Sequence, residues 1–388
     1  MRRVFFALPV LLLIGGAVFF GVAPGMVERS MNEIRPGHTV AVADTARQLH
    51  AQLFVADLHA DLLMWHRDPL DRGRRGHTDV PRLVEGNVAL QVFSAVTKSP
   101  RGLNYDRNSA DTDNITLLAL AQRWPTATWT SRTARALHQA RRLHEAARQS
   151  DGQLVVIRSV ADLDAFVQRR AAEPRLLAGL LAIEGLHALD GRLAHLDTLY
   201  AAGYRMMGLA HFFDNEVAGS AHGMAKGGLT PLGRQVVARM EALHLLVDLA
   251  HASPQTIDEV LAMATRPVVV SHTGVQATCP GPRNLTDDQV RRIAATGGVM
   301  GIGYWDGAVC AADARATARA IRHVANLVGV AHVALGSDFD GAVTTAFDAT
   351  GLAQVTQALL DEGFSRDEVA QVMGGNVLRL LQATLPPG

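Results

Sequence analysis

The chain has 388 residues, 48% of them hydrophobic, and balances 37 Lys and Arg against 37 Asp and Glu. That length can bury a sizeable core as one large α/β domain or two smaller ones, and the balanced charge gives no electrostatic case for a nucleic-acid partner, whose binding domains usually carry a net basic face. Sixteen histidines stand against two cysteines, Cys279 and Cys310, which are too far apart for a CxxC-type site, so a metal here would be held by imidazole and carboxylate.

At the N-terminus, Arg2-Arg3 precede an apolar run from Val4 to about Ala23. As a helix this run of roughly twenty residues would cross a hydrocarbon core of about 30 Å. The flanking positive charge predicts that this end stays cytoplasmic and that the rest is exported, to a periplasmic or extracellular side. A cleaved signal peptide is the alternative, and the length of the run and the lack of a clear A-x-A site speak against it. Residues 1–27 are therefore expected to be an anchor or signal, 28–43 a linker broken at Pro36-Gly37, and 44–388 the folded domain. In an exported domain Cys279 and Cys310 could form one disulfide.

A short helix around Thr45–Leu49 leads to a first strand, Leu53–Asp57, then to a polar loop from Arg67 to Thr78 and a second strand, Val88–Ser94. The near-continuous apolar character of the second strand suits a strand covered on both faces. The segment Ser131–Arg148 reads as a helix whose charges form a solvated face. Leu154–Ile157 reads as a short extra strand, and Ser159-Val160-Ala161-Asp162 as a start resembling a capping box.

Strands then alternate with helices: Ala178–Ile183, Tyr204–Leu209, Leu245–Leu249, Pro267–Ser271, Val299–Gly303 and Val333–Gly336, with helices clearest at Thr230–Leu243, Pro254–Ala264, Thr286–Ala295 and Ala314–Leu327. Gly351–Leu360 and Ser365–Leu381 read as closing helices. Eight βα units predict a (β/α)8 barrel of the TIM type. An open doubly wound sheet is the runner-up, but it would carry a Gly-rich turn where this chain has His59-Ala60-Asp61.

Active sites of such barrels stand at the C-terminal ends of the strands. Strand one ends in His59 and Asp61, and later strands end in Glu184, His211, His251, His272, and Asp338 with Asp340. Apolar strands have no structural need of so many ligand-type residues at one ring of positions. Buried without partners they would be costly, and a metal centre compensates. His138, His144, His195 and His323 sit in charge-rich helical surroundings and read as surface residues, while His77 and His222 read as loop residues near the site.

The ordered series resembles the membrane dipeptidases, peptidase family M19. The matching pieces are Asp57–Asp61, Thr78–Leu83, Ile183-Glu184-Gly185, Gly208–His211, Asp248–Ser253, Val270–Thr273, Arg283-Asn284-Leu285 and Gly336–Gly341, in family order. The resemblance implies two zinc ions per chain, one held by His59 and Asp61 and the other by His251 and His272, with Glu184 bridging. A bridging carboxylate suits the roughly 3.5–4 Å spacing of two-metal hydrolytic sites. It implies a zinc-dependent dipeptidase acting through a metal-bridging hydroxide, with His211 stabilising the oxyanion and Arg283 taking the substrate's C-terminal carboxylate. Asp338, preferred to Asp340 on motif alignment, would move the proton. Asn284, beside Arg283, and the stretches Phe212–Glu216 and Tyr304-Trp305 are expected around the substrate.

This chain has Asp-Leu-His-Ala-Asp where the family usually has Asp-Gly-His-Asn-Asp, which keeps both ligands. It ends at Pro386-Pro387-Gly388 without an apolar tail, so the membrane contact is expected through the N-terminal helix. The resemblance also implies that outer helical faces could support a homodimer. Two other readings of the same residues are an amidohydrolase-type reaction on a lactam or N-acyl amino acid, and a membrane-tethered binding protein without turnover.

Overall fold

The computed structural model describes residues 12–35 and 39–388; Arg2-Arg3, the start of the apolar run and Pro36-Gly37 lie outside the described residues. The strands are β1 (Val55–Ala60), β2 (Val88–Val96), β3 (Leu154–Val156), β4 (Leu177–Glu184), β5 (Tyr204–Gly208), β6 (Leu246–Asp248), β7 (Val269–Thr273), β8 (Val299–Ile302) and β9 (Val333–Leu335). They form one parallel sheet in the order β2-β1-β9-β8-β7-β6-β5-β4-β3, and an added pairing of β2 with β4 closes eight of them into a barrel. The extra strand β3 pairs with the start of β4, from Leu177 to Gly179, below the stretch on which β5 pairs with Leu181–Glu184.

One cluster of buried residues takes members from all eight barrel strands, among them Leu58, Leu90, Leu180, Met206, Leu246, Val269, Val299 and Ala334. Val377, Leu380 and Leu381 of the last helix join it, which explains why these short strands read as apolar runs without alternation. The helices behind the strands start on side-chain caps that satisfy otherwise unpaired amides. Ser131, Thr230, Ser253 and Asp313 each accept the amide three residues on, and Thr286 with Gln289 makes a full capping box. At Ser159 the box is half made: Ser159 accepts from the Asp162 amide, but the shorter Asp162 carboxylate reaches the Arg158 amide instead of that of Ser159.

Two expectations need correction. The helix Arg132–Gln149 does not leave all its charges in water: Arg135 is buried, donating to the carbonyls of Thr128 and Thr97 and to Asp113. Periodicity cannot foresee this, because a guanidinium is buried only where distant acceptors happen to meet its fork. The residues read as a linker are also not free of the barrel. A helix runs from Leu12 to Met31, with a π-turn at Val18–Val22 that accommodates Pro24. Its Glu28 is buried between Arg67 and Arg75. Past the helix, the Ala342 amide donates to Asn32 Oδ1 at 2.8 Å, and Arg35 and Thr345 exchange backbone bonds with Thr345 and Glu33. Residues 28–35 thus form a strap on the loop after β9.

Cys279 and Cys310 are joined in a disulfide, with Cα atoms 5.3 Å apart and a sequence separation of 31. It ties the loop after β7 to the turn after β8, both at the C-terminal end of the barrel. Replacing both cysteines with serine is expected to lower stability by about 3–4 kcal/mol, the loop-closure value for a ring of this size, measured as an earlier denaturation midpoint than that of the oxidised protein.

Candidate metal centre

Glu184 is the last residue of β4, and Gly185 after it has φ +90° with no room for a side chain between His187 and His211. The chain therefore turns sharply and leaves the Glu184 carboxyl over the barrel axis. Its Oε1 lies 3.0 Å from His251 Nε2, 3.2 Å from His272 Nε2 and 3.8 Å from His59 Nε2. His59 Nε2 is in turn 3.5 Å from Asp61 Oδ2 and 3.9 Å from Asp338 Oδ1. The five residues expected to hold metal are brought together, all buried.

Side chains at this ring are held from below. Asp57 accepts from the amides of His59 and Ser337, from Ser337 Oγ and from Gln91, at 3.0–3.1 Å. Asp248 accepts from the amides of Ala250 at 3.0 Å and Ser271 at 2.9 Å, and Ser271 Oγ lies 2.9 Å from His272 Nδ1. Asp57 and Asp248 belong to the matching pieces of sequence without an expected role. Their signal is position: each precedes a strand-end histidine by two or three residues.

The donor set fits a cation. Donors on one tetrahedral zinc at about 2.0–2.1 Å stand roughly 3.3 Å from one another, and His251 Nε2, His272 Nε2 and Glu184 Oε1 are mutually 3.0–3.2 Å apart. His59 Nε2 and Asp61 Oδ1 are buried without a hydrogen-bond partner. Burial pushes the Glu184 and Asp61 carboxyls well above their ordinary range and holds His251 and His272 well below theirs. The ionised carboxylates thus lack the compensation that a cation supplies. Distance alone does not set His211 apart: its Nε2 is 3.2 Å from Glu184 Oε2, while Nδ1 faces the Lys98 carbonyl at 3.4 Å. Burial lowers its pKa to about 3, so the ring is neutral.

Asp338 and Asp340 differ sharply. Asp340 accepts from Arg67 and the His77 amide at 2.7 Å and from the Thr78 amide and hydroxyl. Burial opposes its ionisation, but Arg67 and these donors prevail and hold the pKa below the usual value. Among the described residues Asp338 has no such partners, and burial, countered in part by His59, raises it to about 8. Gly341 lies so close to the Asp338 and Asp61 carboxyls that a β-carbon there would collide with them.

A cavity of 350 Å³ opens above these groups, lined by Asp61, Glu184, His211, His251, Arg283 and Asp338 with Phe212, Tyr105 and Trp305. Arg283 is buried; it donates to the His272 carbonyl at 2.6 Å, stands 5.7 Å from the Trp305 ring, and makes no ion pair among the described residues. Other expected substrate residues lie elsewhere. The Asn284 amide is engaged with the carbonyls of Cys279, Gly307 and Ala308 and the Gly274 amide, and so braces the loop. Tyr304 is buried against Phe339 and Phe347, outside the cavity lining. Of Phe212–Glu216, only Phe212 lines the cavity, and Asp214 and Asn215 cap backbone amides of their own loop. His77 and His222 stand beside the centre, bonded to the Asp340 amide and the Tyr105 carbonyl. His138, His144, His195 and His323 are half-buried in the outer helices, not on the open surface.

The family model for membrane dipeptidase (peptidase family M19) matches residues 43–385. Dipeptidase aclJ of Aspergillus oryzae is 31% identical over 319 residues, covering 79% of this chain and 69% of that protein. Among solved structures, dipeptidase AC, a metallopeptidase of family M19, superposes with a TM-score of 0.69 at 26% identity, over 86% of this chain and 99% of that one. A metallopeptidase from Rhodobacter sphaeroides, liganded with a phosphinate mimic of the dipeptide L-Ala-D-Ala, gives a TM-score of 0.69 at 25% identity over the same shares. With its barrel closed, its strand-end ligands converging and the family pattern running through nearly all of it, the chain belongs to the membrane dipeptidase family of metallopeptidases and is a peptide-bond hydrolase.

Proposed function

We propose that this protein is a zinc-dependent dipeptidase with two ions per chain, one on His59 and Asp61, the other on His251 and His272, and Glu184 shared between them. The observation that carries the reading is the meeting of three imidazole Nε2 atoms within 3.0–3.8 Å of one Glu184 oxygen. Zinc bound there supplies Lewis acidity and a water acidic enough to be a nucleophile near neutral pH.

The protein's own groups do the rest. Arg283, buried without a carboxylate partner, would receive the free C-terminal carboxylate of a dipeptide through its planar fork. A substrate longer at that end would leave the guanidinium unpaired, which restricts the enzyme to short peptides. His211 lines the cavity with its Nε2 turned towards Glu184 and would stabilise the carbonyl oxygen as it gains charge. Asp338, free of the donors that engage Asp340, would as the carboxylate accept a proton from the attacking water and then give it to the leaving amine. The related enzyme holding a dipeptide mimic supports a substrate of this size.

The helix Leu12–Met31 is long and apolar enough to cross a bilayer, and a disulfide suits an oxidising compartment. Both support anchoring through the part of that helix ahead of Phe19, with the barrel on the exported side.

Metal analysis of the purified protein is expected to return two zinc per chain, and chelation should abolish dipeptide hydrolysis until zinc is restored. Full activity in metal-free protein would end the proposal. Arg283→Ala should raise KM for free dipeptides by about a hundredfold, the scale of an unmade charged hydrogen-bonded pair. The same change should leave hydrolysis of a C-terminally amidated dipeptide almost unaltered, whereas equal losses on both would refute the clamp. Asp338→Asn is expected to lower kcat by roughly 10²–10⁴ while zinc content stays at the wild-type level; a variant that retains kcat would assign the proton to another group.

A further inference from the structure

Phe19, Ala23, Val27 and Met31 recur every fourth residue, and on a helix that spacing sets them in one stripe. All four line the same cavity as Glu184, His211, Arg283 and Asp338. The same cavity is lined by Met64 and Trp65, from the loop after β1, and by Ile115 and Leu118 of the helix Asn114–Ala121. The helix read from the sequence as an anchor is therefore also a wall of the reaction site.

The wall is fixed in place. Glu28, on the same helix, is buried with a guanidinium on each side, and one of them, Arg67, also binds Asp340 at 2.7 Å. Withdrawing the helix would take one of its two carboxylate partners from the buried Arg67 and the carboxylate partner of the half-buried Arg75, a destabilising change. Asn32 and Glu33 extend the attachment to Ala342 and Thr345. Through these contacts the helix adjoins the Asp61–Asp338 side of the cavity, where Gly341 packs on both carboxyls. Arg283 adjoins His272 and Trp305. A dipeptide whose carboxylate is on Arg283 and whose amide is over Glu184 has its amino-terminal residue left for the side that the helix covers.

We infer that the stripe Phe19, Ala23, Val27 and Met31 determines specificity, and that the preferred substrate is a dipeptide with a bulky apolar side chain on the residue bearing the free amine. The inference rests on the dipeptidase reading and adds to it the chemistry of one substrate position. Apolar side chains lie opposite apolar side chains in a cavity of 350 Å³. A polar side chain there would give up its hydration without a hydrogen-bonding partner on the stripe.

The test uses the full chain, zinc-loaded in detergent, and the ratio of kcat/KM for Phe-Ala to that for Gly-Ala. Wild type is expected to favour Phe-Ala by about tenfold or more, the scale on which an apolar pocket discriminates. Val27→Asp should collapse that ratio through KM on Phe-Ala, and Ala23→Trp should do so by filling the space. Met26→Asp, on the outward face of the same helix where the side chain is 64% exposed, should leave the ratio as it is. A wild-type ratio near one, or a ratio that survives both stripe substitutions, would overturn the inference while dipeptide hydrolysis itself stands. Hydrolysis of neither peptide by the zinc-loaded protein would instead remove the dipeptidase reading beneath it.

Discussion

Everything at the mouth of this barrel depends on placing a carboxyl group and several imidazoles at one buried point. Glu184 offers one oxygen to His251 and His272 and the other to His211, at 3.0–3.2 Å. Without a cation such a cluster is costly to bury, so the surrounding structure must hold it against its tendency to disperse. That is the part played by the residues below. Asp57 fixes the backbone of His59 and Ser337, and Asp248 fixes that of Ser271, whose hydroxyl orients His272. Each acts on main chain or ring position and leaves the upper nitrogens turned to the centre.

Left-handed backbone recurs at the same ring. His251, Asp338 and Asp340 have φ of 60°, 58° and 64°, a conformation seldom adopted by residues with a β-carbon. In each case the strand has just ended and the chain turns sharply, which at His251 and Asp338 brings the side chain to the centre. Conformational strain of this kind persists only where neighbouring bonds outweigh it, and the bonds on Asp340 are the plainest instance.

The barrel was legible because its strands are short, apolar and regularly spaced, and because ligand-type residues at their ends stand out against that background. His59, Glu184, His251 and His272 could be picked out one by one on that contrast. What a local pattern cannot hold is the partner a polar side chain will find hundreds of residues away. Asn284 looked like a neighbour of the substrate because it follows Arg283, yet its amide binds the Cys279 carbonyl of its own loop and the Gly307 and Ala308 carbonyls beyond β8. Asp338 and Asp340 were nearly equivalent as sequence; Arg67, His77 and Thr78 separate them by engaging only the second. Residues 28–35 are polar and end near a Pro-Gly pair, as a linker would, and only Arg67 and Arg75 from another part of the chain give Glu28 a reason to be buried.

The strap formed by those residues has a mechanical consequence. A flexible tether of comparable length would let a catalytic body wander and tumble beside whatever holds its end. Here Val22 and Glu28 belong to one continuous helix, and Glu28 is buried on the barrel. Six residues at 1.5 Å each give about 9 Å between them. Whatever holds the segment before Phe19 therefore also sets the direction in which the opening of the cavity faces.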